Sequence, residues 1–199
     1  MIGYNQDIET QKQILFNIVL QNKVLFEIIK GSQSFGLEHY YIGAGCICQS
    51  VWNYQNGLEL MYGISDVDFV YFDDKNISYE AEDCLIKAVK GRFSHLPVEI
   101  DVKNQARVHL WYKDHYGYEL QPYDSLESAI NSWPTTATSI GVRVSGEDLA
   151  VYAPFGLNDM FGQIVRANKT QITRETYLMK CEKWCSKWPG LHVIEWEES

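Results

Sequence analysis

Hydrophobic residues in the first part of the chain recur at the spacing of an amphipathic helix. Between residues 8 and 30, an apolar side chain returns every three or four positions, which is the helical period. The residues that form this stripe are Ile14, Leu15, Ile18, Val19, Leu25, Phe26 and Ile29. The polar pair Gln21-Asn22 interrupts it, so the pattern predicts either one long helix or two helices that meet there. The segment 31–36, rich in Gly and Ser, ends the helical region.

Short apolar runs later in the chain predict five strands. They cover residues 40–42, 66–72, 97–102, 140–144 and 149–152. In the third run apolar and polar residues alternate, as expected of a strand with one exposed face. The turn sequence Ser145-Gly146-Glu147-Asp148 separates the last two runs, which predicts a β-hairpin.

Segments with helical spacing or helix-start residues lie between the predicted strands and after them. They cover residues 46–54, 78–93, 105–116, 125–133, 154–166 and 173–188. Ser78 and Thr173 are preferred N-cap residues, and Pro154 suits the first turn of a helix. The chain contains neither internal repeats nor a Pro- or Gly-rich linker, so this succession predicts a single domain of strands and helices.

Composition and charge narrow the classes of protein. The chain has 199 residues, of which 46% are hydrophobic and 22% are charged, as in a folded globular domain. Its formal net charge of −9 argues against a long RNA or DNA partner, because proteins that grip a phosphate backbone usually present a basic face. The sequence shows no membrane-spanning run, no signal-peptide pattern and no paired spacing of its five Cys residues. We therefore expect a cytoplasmic protein with reduced thiols and no membrane partner, and the sequence indicates no particular oligomeric state.

Two carboxylates stand at the start of the second predicted strand, in the segment Ser65-Asp66-Val67-Asp68-Phe69-Val70-Tyr71-Phe72. Side chains of a strand alternate between its faces, so Asp66 and Asp68 point the same way. Two like charges side by side in an otherwise apolar strand repel each other and are costly to bury. A divalent cation removes this conflict, and carboxylate oxygens suit Mg²⁺. The pair therefore predicts a metal site.

Two further features complete a candidate site. The segment Gly43-Ala44-Gly45-Cys46 joins a predicted strand to a predicted helix. Small residues there let a phosphate approach the backbone, and the helix N-terminus supplies free N–H groups. Asp101 lies on a later strand, one helix further along the chain. In a two-metal site, one ion would activate the attacking oxygen, the other would hold the triphosphate, and Asp101 would take the proton.

These residues resemble the three-acid signature of the DNA polymerase β-type nucleotidyltransferase superfamily. From about residue 40 to 196 the chain is more specifically similar to a bacterial group of small nucleotidyltransferase-like proteins with no agreed acceptor. The similar segments are 43–53, 65–73, 98–108, 133–138 and 152–159. The resemblance implies the nucleotidyltransferase fold, an α+β (α/β) architecture with a mixed β-sheet flanked by helices. Its core would cover about residues 38–153, and a helical C-terminal region about 154–190.

The resemblance also implies a reaction, the transfer of a nucleoside monophosphate from an NTP to a hydroxyl with the help of two Mg²⁺ ions. Asp66, Asp68 and Asp101 would be the catalytic and metal-binding residues, and Gly43 to Cys46 would cradle the triphosphate. The superfamily often has a Ser in this turn; it is absent here, so backbone N–H groups, helped by Ser50, are expected to serve. The tRNA-tailing branch has Arg-Asp where this chain has Cys48-Gln49. This departure favours a small molecule or a protein over RNA as the acceptor.

Other residues are candidates for contacts with the nucleotide. Arg143, on a predicted strand after a Thr-rich turn, and Lys103, on the same strand face as Asp101, are our first choices for triphosphate contacts. The weaker candidates, which also have a purely structural interpretation, are Arg107, Arg166, Lys169, the hydroxyls of Thr135-Thr136-Ala137-Thr138-Ser139, and the rings of Trp52, Trp111, Tyr112 and Trp133. His109 and His115 are spaced too widely for a metal pair on one helix face.

Two alternative functions are compatible with the same fold. The first is a non-catalytic nucleotide-binding or regulatory module. The second is one member of a toxin–antitoxin pair, an interpretation that no residue of this chain supports.

Overall fold

A computed structural model describes residues 1–199 and shows a five-stranded mixed sheet. Its strands are β1 (Tyr40–Gly43), β2 (Asp66–Tyr71), β3 (Glu99–Asn104), β4 (Gly141–Ser145) and β5 (Asp148–Tyr152). They lie in the order β3-β2-β1-β4-β5, with β2 and β3 parallel and every other pair antiparallel. The predicted α+β fold with a mixed sheet, including the hairpin β4–β5, is confirmed.

Eight α-helices surround this sheet. They are α1 (Ile8–Gln21), α2 (Lys23–Gly31), α3 (Gly45–Gln55), α4 (Tyr79–Arg92), α5 (His109–Tyr116), α6 (Leu126–Asn131), α7 (Asn158–Phe161) and α8 (Arg174–Cys185). The predicted caps Ser78 and Thr173 accept backbone N–H groups of the first turns of α4 and α8. None of the helices combines the length and the hydropathy that crossing a bilayer would require.

Asn22 separates the two N-terminal helices, which settles the alternative left open by the pattern. Its side chain accepts a hydrogen bond from the backbone N–H of Leu25 at 3.1 Å and so caps α2. The same side chain donates to Ser50 Oγ on α3 at 2.9 Å. The break is therefore built into the packing of both helices against α3.

The two faces of the sheet differ in chemistry. One face presents buried apolar residues from four neighbouring strands, and α1 to α4 pack against it: Tyr40, Ile42, Val67, Phe69, Tyr71, Ile100, Val102 and Val142. These side chains belong to a core of 33 buried residues that extends from Leu15 to Trp188. On the other face, α6 contributes Leu126 and Ile130 to a small apolar cluster around Val70, and the acidic residues of β2 and β3 lie beside it.

The prediction of a helix from Pro154 to Arg166 is wrong. Only the four residues of α7 are helical, and the chain leaves the helix at Gln163, whose φ of 52° is left-handed. The next residues form β6 (Ile164–Val165), which pairs in parallel with β7 (His192–Val193). The partner of β6 lies far along the chain, so this small second sheet leaves no local pattern in the sequence.

Three Trp rings fix the C-terminal helix against α3. Trp52 on α3 lies edge-to-face with Trp184 and Trp188, at centroid distances of 5.8 and 5.5 Å. Trp188 Nε1 also donates to Asn53 Oδ1 at 2.7 Å. This packing places the C-terminal half of α8 beside the N-terminal end of α3, near the carboxylates of β2.

Candidate active site

The strand register brings the predicted acids to one face of the sheet. Asp68 and Asp101 are register partners on the parallel strands β2 and β3, whose backbones lie about 4.8 Å apart. Asp66 precedes Asp68 by two residues and shares its face. The carboxylates are not drawn into a closed cluster, and nowhere in the protein do three or more His, Cys, Asp or Glu side chains assemble as a metal-binding group. Instead Asp66 accepts a hydrogen bond from Ser65 Oγ, and Asp101 forms an ion pair with Lys103.

Asp68 is the most perturbed carboxyl of this set. Burial, with the negative charges of Asp66 and Asp101 acting in the same direction and Lys103 and Lys180 acting in the opposite one, raises its pKa to about 7. A divalent cation stabilises a carboxylate that lies among like charges in a poorly hydrated place. The donor atoms are hard oxygens, so the residues present fit Mg²⁺.

The turn before α3 is shaped for close approach. A Cβ on Gly43 would lie 2.4 Å from the carbonyl oxygen of Ile140 and 3.2 Å from the Trp133 ring, so no larger residue fits there. Ala44 adopts a positive φ of 60°, which directs the chain from β1 into α3. No side chain caps α3, so its first N–H groups remain available to an anion near Gly45 and Cys46.

The structure changes the expectation for the two polar side chains near this turn. Only the backbone N–H of Cys46 is available to a phosphate, because its buried thiol donates to the Gly43 carbonyl oxygen at 3.0 Å. Burial also raises the pKa of that thiol well above its usual value. The prediction that Ser50 helps to bind the triphosphate is wrong. Ser50 is fully buried, and its hydroxyl accepts from Asn22 and donates to the carbonyl of Leu60.

A polar cavity of about 250 Å³ opens at this turn. Ala44, Gly45 and Cys46 line one side, Asp66 and Asp68 line another, and Trp133 and Pro134 close it. Lys180, Lys183 and Lys187 of the C-terminal helical segment also line it. The cavity therefore joins a helix N-terminus, two carboxylates and three cations.

The three lysines were missed at the level of the sequence. Their spacing of three and four residues places them on one face of a helix, which is the signal that could have found them. Lys187 Nζ donates to the Gly63 carbonyl at 2.8 Å, whereas Lys180 and Lys183 have no carboxylate within ion-pair distance. Burial lowers the pKa of Lys180, and the charge of Asp68 partly offsets this effect.

None of the basic residues singled out from the sequence lines this polar cavity. The guanidinium of Arg143 lies 5.9 Å from the Tyr41 ring centroid. Lys103 is paired with Asp101; burial lowers its pKa, but the hydrogen bond and charge of Asp101 raise it more. Arg107 pairs with Glu82, Arg166 donates to Asp159 at 3.0 Å, and Lys169 lies 5.1 Å from the Trp196 ring centroid.

The Thr-rich segment mainly serves its own backbone. The hydroxyls of Thr135 and Thr138 bond to each other at 2.7 Å, and Ser139 Oγ donates to the Thr135 carbonyl at 2.9 Å. Thr136 donates to Asp159 at 2.7 Å. Of these residues only Thr138 lines the polar cavity, with its hydroxyl already engaged.

A second cavity, of about 210 Å³, adjoins the polar one, and six aromatic side chains contribute to its lining. Trp111, Tyr112 and Trp133 of the predicted ring candidates line it, whereas Trp52 is buried in the core. Both cavities are lined by Asp68, Trp133, Pro134 and Lys180, so they meet beside the central carboxylate. We refer to them as the polar cavity and the aromatic cavity.

Comparisons with known proteins identify a family and a shared fold. A family model described as "Nucleotidyltransferase" matches residues 30–193. No curated protein sequence matches the chain. Among solved structures, the chain is similar to one whose title states that the NMR structure "reveals a CCA-adding enzyme head domain". The two are 23% identical, the alignment covers 92% of this chain and 96% of the other, and the TM-score is 0.74. At this identity the likeness shows a shared fold.

Proposed function

The chain belongs to the nucleotidyltransferase family, and we propose that it transfers a nucleoside monophosphate from an Mg²⁺-bound NTP to a hydroxyl group of a small molecule or a protein. One observation carries this proposal, the polar cavity in which the uncapped start of α3, Asp66, Asp68 and the lysines of the C-terminal helical segment face one another. Each of these elements complements a different part of an Mg²⁺–triphosphate.

Asp66 and Asp68 are the proposed ligands of two Mg²⁺ ions, and Asp101 is the proposed further ligand of one of them. When bound, the ions neutralise charge on the triphosphate and polarise the phosphate under attack. The β- and γ-phosphates would lie against the backbone N–H groups of Gly45 and Cys46, where the helix dipole favours negative charge. Lys183 and Lys180 would bind the same phosphates from the opposite side as point charges.

In the proposed reaction the acceptor oxygen forms a bond to the α-phosphorus, and the bond from that phosphorus to the leaving oxygen breaks to release pyrophosphate. Attacking and leaving oxygens are roughly in line in such transfers. Pyrophosphate would leave on the β1 side, at the start of α3, so the acceptor would approach from the β3 side. Asp101 lies on β3 and would take the hydroxyl proton once its carboxylate is released from Lys103.

A small molecule or a protein is the proposed acceptor because the surface offers little to a polynucleotide. The net charge is −9, and the free lysines near the carboxylates line the cavity in which the triphosphate would bind. The CCA-adding head domain shares the fold, but Cys48 and Gln49 stand where the tRNA-tailing branch has its Arg-Asp pair.

Labelled nucleotides test the proposal. The protein is incubated with Mg²⁺, each of the four α-³²P-labelled NTPs, and either the metabolite or the protein fraction of a cell extract. We expect label to enter one fraction together with pyrophosphate release, and both to stop on addition of EDTA. Binding of NTP without any transfer would favour the non-catalytic module instead.

Replacing Lys183 with Gln should weaken the protein's grip on the triphosphate. We expect the KM for NTP to rise about tenfold, which corresponds to about 1.4 kcal/mol of binding free energy. The kcat should change little, because the lost contact binds substrate and transition state alike. Steady-state kinetics measure both. Lys75→Gln, at an exposed lysine in the β2–α4 turn, is the matched control and should leave KM unchanged.

A further inference from the structure

We propose that the aromatic cavity is a nucleobase pocket and that Gln105 binds the edge of the base. This inference deepens the proposed function and rests on it, because it assigns a ligand to the space that adjoins the triphosphate site. Two independent observations carry it, the chemistry of the cavity walls and an unpartnered amide inside.

Three of the four tyrosine hydroxyls in the walls are engaged in hydrogen bonds, so these residues present mainly their rings. Tyr112 and Tyr118 hydroxyls bond to each other at 3.1 Å, and Tyr118 also donates to the Gln171 carbonyl. Tyr123 is bonded to Ser132 and to Gln171 Oε1. Because these hydroxyls are engaged, the cavity offers flat apolar surface from Trp111, Tyr112 and Trp133, on which a base stacks well.

Gln105 supplies the polar contact. The residue is 6% exposed and lines the aromatic cavity, and its side-chain amide forms no hydrogen bond within the protein. The amide is open to the cavity, so its donor and its acceptor are available to a ligand there. The amide offers a donor beside an acceptor, and the edge of a nucleobase offers the complementary pair.

The position and size of the cavity suit a single base. Its volume of about 210 Å³ leaves no room for a stacked pair of nucleotides. Asp68 and Lys180 stand where it meets the polar cavity, so a ribose attached to the base would extend toward the reacting phosphate. Lys103 and Gln105 belong to β3 and its continuation, the side from which the acceptor approaches.

Two molecules of the proposed reaction carry a nucleobase at this place, the NTP itself and a nucleoside that acts as acceptor. Calorimetry in Mg²⁺ separates them, with α,β-methylene NTP analogues, inorganic tripolyphosphate and the four free ribonucleosides as titrants. The variants are Gln105→Ala, the isosteric Gln105→Glu in case the first does not fold, and Trp111→Leu. Gln13→Ala, at an exposed position of α1, is the matched control.

We expect the Gln105 and Trp111 variants to lose about tenfold in affinity for a base-containing ligand while tripolyphosphate binds as before. A loss seen with the NTP analogues assigns the pocket to the NTP base. A loss seen only with a free nucleoside, titrated onto the complex with an NTP analogue, assigns it to the acceptor. The inference is overturned if the variants leave the affinity for every NTP analogue and nucleoside unchanged. Failure of the wild-type protein to bind tripolyphosphate would instead count against the proposed function, and free nucleosides would still test the pocket.

Discussion

Asp68→Asn is expected to reduce nucleotidyl transfer by about 1,000-fold or more, a loss of about 4 kcal/mol of transition-state stabilisation. Asp68 is the proposed ligand shared by both Mg²⁺ ions, and it lines both cavities where the reacting phosphate would lie. An amide of the same shape keeps the packing but removes the charge. The rate of pyrophosphate release in Mg²⁺ measures the effect.

The same substitution should stabilise the metal-free protein. In the folded state the pKa of Asp68 is about 7, above the ordinary value of 3.8, so folding retains a proton that the unfolded chain has lost between these pH values. The free energy of unfolding therefore falls as pH rises through this range. Asn has no proton to lose, so the variant avoids this destabilisation. We expect a higher Tm than wild type at pH 8 in EDTA and a smaller difference at pH 4.

A control substitution at another acid shows whether the changes in transfer rate and in Tm come only from the altered net charge. Asp74 is exposed in the turn after β2, and Asp74→Asn should alter neither transfer nor Tm. If Asp68→Asn retained wild-type transfer, the proposed metal site would be wrong. A large fall in Tm with loss of transfer would show a structural role instead.

Arg107→Ala is expected to lower the free energy of unfolding by about 3–5 kcal/mol. Arg107 and Glu82 form an ion pair whose side chains are only 11% and 9% exposed. Glu82 also accepts the backbone N–H of Asn104 at 2.8 Å, and Arg107 donates to the Ile77 carbonyl at 3.3 Å. Removing the guanidinium leaves a buried carboxylate without its counter-charge, and urea denaturation at pH 7 measures the cost.

A double variant shows whether the unpaired charge causes the loss. Glu82→Gln combined with Arg107→Met should be markedly more stable than Arg107→Ala, because neither partner then leaves a charge behind. Lys87→Ala breaks an exposed ion pair with Asp83 on α4, the helix that also carries Glu82. This substitution should leave the free energy of unfolding unchanged within error. An Arg107→Ala protein of wild-type stability but weakened NTP binding would restore Arg107 as a triphosphate contact.

The sheet and the acidic part of the site could be predicted because their signals are local. A period of two places Asp66 and Asp68 on one face wherever the strand lies, and small residues between a strand and a helix mark the turn before α3. The caps at Ser78 and Thr173 are equally local, since each cap bonds to the helix that follows it. The failed helix after Pro154 shows the limit, because a strand partner near the C-terminus decided the conformation of Ile164 and Val165.

The sequence by itself determined the mixed α+β fold, the common face of Asp66 and Asp68, and the small-residue turn at Gly43, whereas the register between β2 and β3 placed Asp101 on that face. Which cations face the carboxylates was decided only by tertiary structure. Arg143 lies on a strand of the same sheet as the carboxylates, but it packs against Tyr41. The contacts among Trp52, Trp184 and Trp188 instead position Lys180 and Lys183 at the polar cavity. Periodicity assigns a residue to a face of its own element, but contacts between distant elements determine what that face meets.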